Sequence, residues 1–270
     1  MTYSFALRFA GPLLLAGVVS AGACGGAART TAPPPPPAPD ASPSAALSPR
    51  TAATALAALE DGNARFMLGR PRHPHEHASF RHRLVGEQKP FATILGCSDS
   101  RVPPELLFDE GLGDLFVIRV AGNIVGTDVA ASIEYAVDHL KTPLLVVLGH
   151  ENCGAVTAAL HHFHGKMAEN AEPPEIMSLL GHIEPGLHHD DPSRPFSEQL
   201  HLAVEDNVRH SVKDLLAVQD IRTAVASGRV AVVGAVYDLA SGQVRFLSDD
   251  LVNPTGTAEE PHEPAAGQRH

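Results

Sequence analysis

Residues 129–149 read Val129-Ala-Ala-Ser-Ile-Glu-Tyr-Ala-Val-Asp-His-Leu-Lys141, then Thr142, then Pro143-Leu-Leu-Val-Val-Leu-Gly149. In the first part Ile133, Val137 and Leu140 recur at i, i+4 and i+7, the spacing of a helix with one apolar face. The second part is an unbroken apolar run of strand length, which suits a strand covered on both faces. Two runs of the same kind lie upstream, Phe91-Ala-Thr-Ile-Leu-Gly96 and Asp114-Leu-Phe-Val-Ile-Arg119. Parallel strands need a crossover between them, and the helical stretch supplies one. The core therefore reads as a βαβ unit in an α/β fold, a mainly parallel sheet flanked by helices.

Working outward, an amphipathic helix carrying Leu56, Leu59, Phe66 and Met67 begins at Thr51 and ends near Gly69-Arg70-Pro71. A second long helix is expected at about 198–218. Residues 229–238 form another apolar run, followed by a Ser241-Gly242 turn and Gln243-Val-Arg-Phe-Leu247, which predicts an antiparallel edge strand near the C-terminus. These elements define one domain over 51–250. Residues 251–270, rich in Pro, Glu, Gly and His, read as a disordered tail.

The first fifty residues differ from the rest. Residues 1–23 place Leu13-Leu-Leu-Ala16 after Arg8 and end in Ala21-Gly-Ala23, the pattern of a signal peptide. Residues 24–50 include five consecutive prolines at 33–37 and cannot bury enough apolar surface to fold, so they read as an extended linker. Cys24 follows the small residues as in a bacterial lipoprotein cleavage box, which makes it a lipidation candidate. The expected location is the periplasm, free or as a membrane-anchored lipoprotein, or otherwise outside the cell.

Formal net charge is -11, the Lys and Arg residues are scattered, and there is no Trp. Nucleic acid and anionic membrane surfaces are thus excluded as main partners, and a broad stacking platform is absent, which leaves a small substrate. The three cysteines, Cys24, Cys97 and Cys153, cannot form a disulfide framework.

Cys97-Ser-Asp-Ser-Arg101 follows one buried run, and His150-Glu-Asn-Cys153 follows another. In open α/β sheets ligands gather beyond the carboxyl ends of the strands, so Cys97 and His150 converge. Cys153 stands where a helix begins, a place that favours thiolate over thiol. Two thiolates and an imidazole suit one tetrahedral Zn2+ per subunit with the fourth position open. Asp99 either coordinates that position as an alternative fourth ligand or is held off it by a bidentate pair with Arg101. Buried cysteines are often only small hydrophobes, and a closed structural zinc site is the stronger rival. The Asp99–Arg101 pairing favours the open, catalytic form. His161, His162 and His164 read as a solvated helix end without fixed acidic partners.

These motifs resemble the β-class carbonic anhydrases. The resemblance also covers Gln88-Lys-Pro90, Gly113-Asp-Leu-Phe116, Ala121-Gly-Asn123, Ser132-Ile-Glu-Tyr-Ala136 and Gly149-His-Glu-Asn-Cys-Gly-Ala155. It implies zinc held by Cys97, His150 and Cys153, and a catalytic dyad of Asp99 and Arg101. The implied reaction is reversible hydration of carbon dioxide to bicarbonate by zinc-bound hydroxide. It further implies that Gln88, Phe116, Ala121 and Tyr135 bind substrate or line its pocket, shared across the interface of a homodimer or higher homo-oligomer. Hydrolysis of a related cumulene such as carbon disulfide, and a non-catalytic zinc-binding lipoprotein, are the alternatives.

Two departures from the family stand out. Val120 replaces a usual polar residue in Arg119-Val-Ala-Gly-Asn123. Ile94 stands where the bicarbonate-regulated subtype carries Trp, although Arg119 and Tyr237 match other members of that regulatory pocket, and no such regulation is expected.

Overall fold

A computed structural model describes residues 50–167, 171–188, 191 and 193–252. The leader, Cys24, most of the proline-rich stretch and most of the tail lie outside the described residues. In chain order the elements are α1 (Ala52–Met67), α2 (Ala78–Arg83), β1 (Ala92–Gly96), α3 (Pro104–Leu107), β2 (Leu115–Arg119), α4 (Thr127–Tyr135) and β3 (Leu144–His150). They continue with α5 (Gly154–Phe163), α6 (Pro174–Ile183), α7 (Phe196–Ala217), α8 (Gln219–Ala226), β4 (Ala231–Tyr237) and β5 (Val244–Val252).

The apolar runs pair into one sheet of order β2-β1-β3-β4-β5, parallel throughout except for β5, which runs antiparallel to β4. Side chains alternate across it with the period of two that a strand imposes. Leu95, Leu145, Val147, Val232 and Val236 join the core under α4 to α8. Ile94, Leu144, Val146, Leu148, Val233 and Tyr237 join the opposite core under α1 and α3. β1, β3 and β4 are therefore buried on both faces, as their continuous apolar runs predict.

The long helix α7 lies closer to the sheet than ordinary side chains would allow. It buries Leu200, Ala203, Val204, Val208, Val212 and Leu215 at helical spacing. Val208 sits over Gly149 of β3 and Gly234 of β4, where an added Cβ would lie 2.5 and 2.7 Å from its methyl groups. On the other face α1 is capped reciprocally by Thr51 and Thr54. Its buried Asn63 donates to the carbonyls of Leu107 and Gly242 and accepts from Val244 N–H, which fastens α1 to both α3 and the β4–β5 turn.

Two expectations are corrected. The run ending at Arg119 was expected to be buried on both faces, but β2 is half-buried from Leu115 to Ile118 and exposed at Arg119. The cause is position: among the described residues β2 ends the sheet with β1 as its one neighbour. The crossover helix was expected to run straight through to residue 141. It instead widens after Tyr135 into a π-helical turn over Ala136–Leu140, closed by Lys141 N–H donating to the Ala136 carbonyl. The extra residue rotates the face, so Ile133 and Val137 stay in the core while Leu140 is only half-buried. At the other end, β5 runs past the expected Leu247 to Val252.

Candidate metal centre

β1 and β3 are adjacent, with Gly96 opposite Leu148, and the chain leaves them toward opposite sides of the sheet. That reversal opens a crevice beyond their carboxyl ends. Cys97 follows the last residue of β1, and His150 is the last residue of β3. A tight turn with Asn152 at φ 54° then carries the chain to Cys153, the N-cap of α5. The ligand atoms of Cys97, His150 and Cys153 lie within 4.8 Å of one another, and all three residues are buried.

His150 Nδ1 lies 2.9 Å from the Glu151 carbonyl oxygen, so Nδ1 is the protonated nitrogen and the lone pair sits on Nε2. Nε2 is buried and has no hydrogen-bond partner among the described residues. Leaving such an atom unpaired is costly unless a cation takes its lone pair. Two sulfurs and one imidazole nitrogen form a donor set that fits zinc in tetrahedral coordination with one position free.

Hydrogen bonding from Cys153, set against burial, holds the Cys97 thiol down at about 4, while the same bond together with burial pushes Cys153 well above an ordinary thiol. The backbone of Ala155 and Val156 at the start of α5 favours its thiolate, as its place at a helix N-terminus implies, while the bond to Cys97 and burial act against it. A dication held by both sulfurs takes them as thiolates, so its binding releases thiol protons.

Asp99 stands at the rim. Arg101 grips both of its carboxylate oxygens, Nε to Oδ1 at 2.8 Å and Nη2 to Oδ2 at 2.7 Å, and its own N–H adds a third bond at 3.0 Å. Those bonds hold the Asp99 carboxyl well below the usual carboxylate range. Oδ2 remains 3.8 Å from His150 Nε2, beside the ligands yet held by the guanidinium. Arg101 Nη2 also reaches the Asn152 carbonyl at 3.4 Å, linking the two ligand-bearing loops.

Comparison with known proteins agrees with this geometry. Residues 92–244 match the carbonic anhydrase family. Carbonic anhydrase 2 of Mycobacterium tuberculosis is 42% identical over 203 residues, covering 73% of this chain and 92% of that protein. The chain belongs to the β-class carbonic anhydrases. Among solved structures, the β-carbonic anhydrase CcaA superposes with a TM-score of 0.59 at 26% identity, covering 76% of this chain and 94% of that one. One of two tetrameric β-carbonic anhydrases from Sordaria macrospora superposes with a TM-score of 0.55 at 28% identity, covering 72% and 97%.

Several contacts of this β-carbonic anhydrase that shape the site are not legible in its sequence; Arg119 and Gly122 lie in matched motifs, but without the roles that follow. Arg119, at the end of β2, donates from Nε to the Cys97 carbonyl at 2.9 Å and from Nη2 to the Asp99 carbonyl at 2.6 Å. Gly122 N–H points at Cys97 Sγ at 3.4 Å. That turn is braced from α7, where Asn207 donates to the Gly122 carbonyl and Ser211 to the Asn123 carbonyl. Buried Asn and Ser on the apolar face of a predicted helix were the available signal, because buried polar groups need partners.

The expected pocket residues divide. Ala121 opens the turn that carries Gly122, next to the ligands. Phe116 lies low on β2, opposite Thr93, and its ring meets Tyr135 at 6.2 Å between centroids. Gln88 precedes β1 and is exposed. Gln88, Phe116 and Tyr135 therefore belong to the amino end and open edge of the sheet, and one protomer does not bring them to its own Cys97. The histidines at the end of α5 are also corrected: His162 is paired with Glu184 at 2.5 Å, and the His161 ring meets that of Phe196 at 4.8 Å between centroids.

Proposed function

We propose that this chain catalyses the zinc-dependent, reversible hydration of carbon dioxide to bicarbonate and a proton, with Cys97, His150 and Cys153 as ligands and Asp99–Arg101 as the catalytic dyad. The observation that carries the reading is the bidentate Arg101 grip on Asp99 beside three buried donors, because it keeps the carboxylate from becoming a fourth ligand. Zinc in such a site supplies a nucleophile from water at neutral pH and a positive charge for the oxygen of the product. The Glu151 carbonyl fixes the His150 ring so that Nε2 stays unprotonated. Asp99, ionised and gripped by Arg101, would offer Oδ2 as a hydrogen-bond acceptor to a water at the open position. The intact dyad is what a site for zinc binding alone would not need, and nothing in the geometry favours carbon disulfide.

A second copy of the chain completes the site in this reading. The half-buried apolar edge Leu115 to Ile118 and the exposed Tyr135 suit a homo-oligomeric contact that would carry Gln88, Phe116 and Tyr135 toward the partner's metal centre. The leader and the proline stretch support export, with Cys24 as a lipid anchor. Mass analysis of detergent-extracted protein tests the anchor: an unmodified mature N-terminus other than Cys24 would reject it.

Stopped-flow hydration of carbon dioxide with metal analysis on the full chain tests the activity. Stoichiometric zinc, loss of turnover in Cys97→Ser and a strong reduction in Asp99→Ala are expected. Full turnover after complete zinc removal would refute the reading.

A further inference from the structure

The residue that follows the ligand His150 is tied to α7 by a chain of charged side chains. His201 Nδ1 donates to Glu151 Oε1 at 2.7 Å, and His201 Nε2 stands 3.5 Å from Glu205 Oε1. Glu205 is in turn gripped by Arg245 of β5 and by Arg209 Nη1, the latter at 3.2 Å. We propose that His201, with Glu205 behind it, is a positioning residue for the metal centre. It holds the Glu151 side chain so that the Glu151 carbonyl stays on His150 Nδ1 and His150 Nε2 stays aimed at the metal, which rests on Cys97, His150 and Cys153 being the ligands.

The turn from His150 to Cys153 carries two of the three ligands, and the His150 ring is oriented through its 2.9 Å bond to the Glu151 carbonyl. Asn152 within that turn sits at φ 54°, a left-handed conformation that an L-residue takes at a cost. A strained turn keeps its shape when its surroundings over-determine it. Its inner side is pinned twice, by Glu151 N–H on the Tyr237 carbonyl at 2.9 Å and by Arg101 Nη2 on the Asn152 carbonyl at 3.4 Å. Its outer corner is the Glu151 side chain, and His201 ties that corner to α7.

An isolated pair of surface side chains would hold little. This one is backed by fixed structure. The Glu205 side chain is mostly buried, and against that burial the Arg245 and Arg209 guanidiniums hold its carboxyl below the usual carboxylate range. The helix that carries His201 and Glu205 is itself anchored, with Val208 seated over Gly149 of β3 and with Asn207 and Ser211 bonded to the Gly122 and Asn123 carbonyls. α7 therefore bears on both ligand loops. It reaches Cys97 through Gly122, whose N–H points at the sulfur, and it reaches His150 through His201 and Glu151. Outer contacts of this kind set the direction of a metal ligand.

The test is the zinc affinity of the full-length protein, measured by competition with a chelator of known affinity, together with the visible spectrum of the cobalt-substituted protein. Glu151→Ala, which keeps the backbone carbonyl, and His201→Ala should each weaken zinc binding about tenfold, the lower end of what loss of an outer contact costs a metal site. Each should also shift the cobalt d–d bands. Glu151→Gln still accepts from His201 and should recover most of the affinity. Because the two residues act through one bond, the double variant should bind zinc no more weakly than either single variant. His210→Gln, which breaks the pair with Asp214 on the same helix, should leave both readouts unchanged. Wild-type affinity in both alanine variants, losses that add in the double variant, or a loss in His210→Gln as large as in His201→Ala overturns the proposal and leaves the ligand set standing. A wild-type protein that takes up no zinc overturns the ligand set and the proposal with it.

Discussion

Arg101 engages both carboxylate oxygens of Asp99, at 2.8 and 2.7 Å, while Asp99 Oδ2 stands 3.8 Å from His150 Nε2. The carboxylate is thus within a short swing of the metal ligands and is restrained by one guanidinium. In Arg101→Ala the freed carboxylate becomes the strongest uncommitted donor at the crevice and closes the fourth position. Turnover should fall roughly 10- to 100-fold, the range seen when a group that orients a metal site is lost, with zinc retained. X-ray absorption should show an added protein oxygen at the metal. Near-normal turnover with water still bound would mean that Arg101 does not gate the site.

Arg119 acts one layer further back, on the main chain of the same loop. Its two bonds reach the carbonyls of Cys97 and Asp99, so it sets where the first ligand and the dyad stand relative to each other. Arg119 is exposed, and its loss should hardly change unfolding stability. Arg119→Gln is expected to weaken zinc binding roughly tenfold and to lower kcat more than it raises KM. Competition with a chelator of known affinity gives the first quantity and steady-state kinetics the second. A variant that loses melting temperature while binding zinc normally would assign Arg119 to the fold instead.

The residues legible in the sequence are those whose signal is local. β1, β3 and β4 announce themselves because burial on both faces demands continuous apolar residues, and Cys97, His150 and Cys153 because soft donors just past such runs are rare. Arg119 and the Asn207–Gly122 and Ser211–Asn123 bonds span 20 to 88 residues, and no spacing rule connects them. β2 misled for a related reason: its residues are as apolar as those of a central strand, but an edge is defined by the neighbours a strand lacks. The π-helical turn before Lys141 was hidden because Ile133, Val137 and Leu140 fit a regular helix equally well.

Glu110 supplies a pH test away from the metal. Burial raises its folded-state value from 4.5 to about 8, so folding favours its protonated form. The resulting stabilisation is fully present below about pH 4.5 and is lost as pH rises toward and through 8. Relative to wild type, Glu110→Gln should therefore gain stability with increasing pH, on the order of 3 kcal/mol between pH 5 and 9. Urea midpoints at several pH values measure the difference. A constant offset between the two proteins would show that Glu110 is not held protonated.

Gly149 tests how the packing of α7 reaches the metal. It precedes His150 on β3, and a Cβ there would meet Val208 Cγ2 at 2.5 Å, inside any tolerable contact. Gly149→Ala must push α7 outward or displace the end of β3, at a cost of about 1–3 kcal/mol for overpacking. Either movement disturbs the centre, since α7 also carries Asn207 and Ser211, which brace the turn at Gly122. Val208→Ala alone leaves a void and is destabilising as well. If the clash is steric, the alanine at 149 fills part of that void, so the double variant should be more stable than the sum of the two losses implies and should regain zinc affinity over Gly149→Ala. Denaturation curves and metal titration of all four proteins close the cycle. Strict additivity would show that the glycine is required for the strand's own backbone and not for the approach of α7.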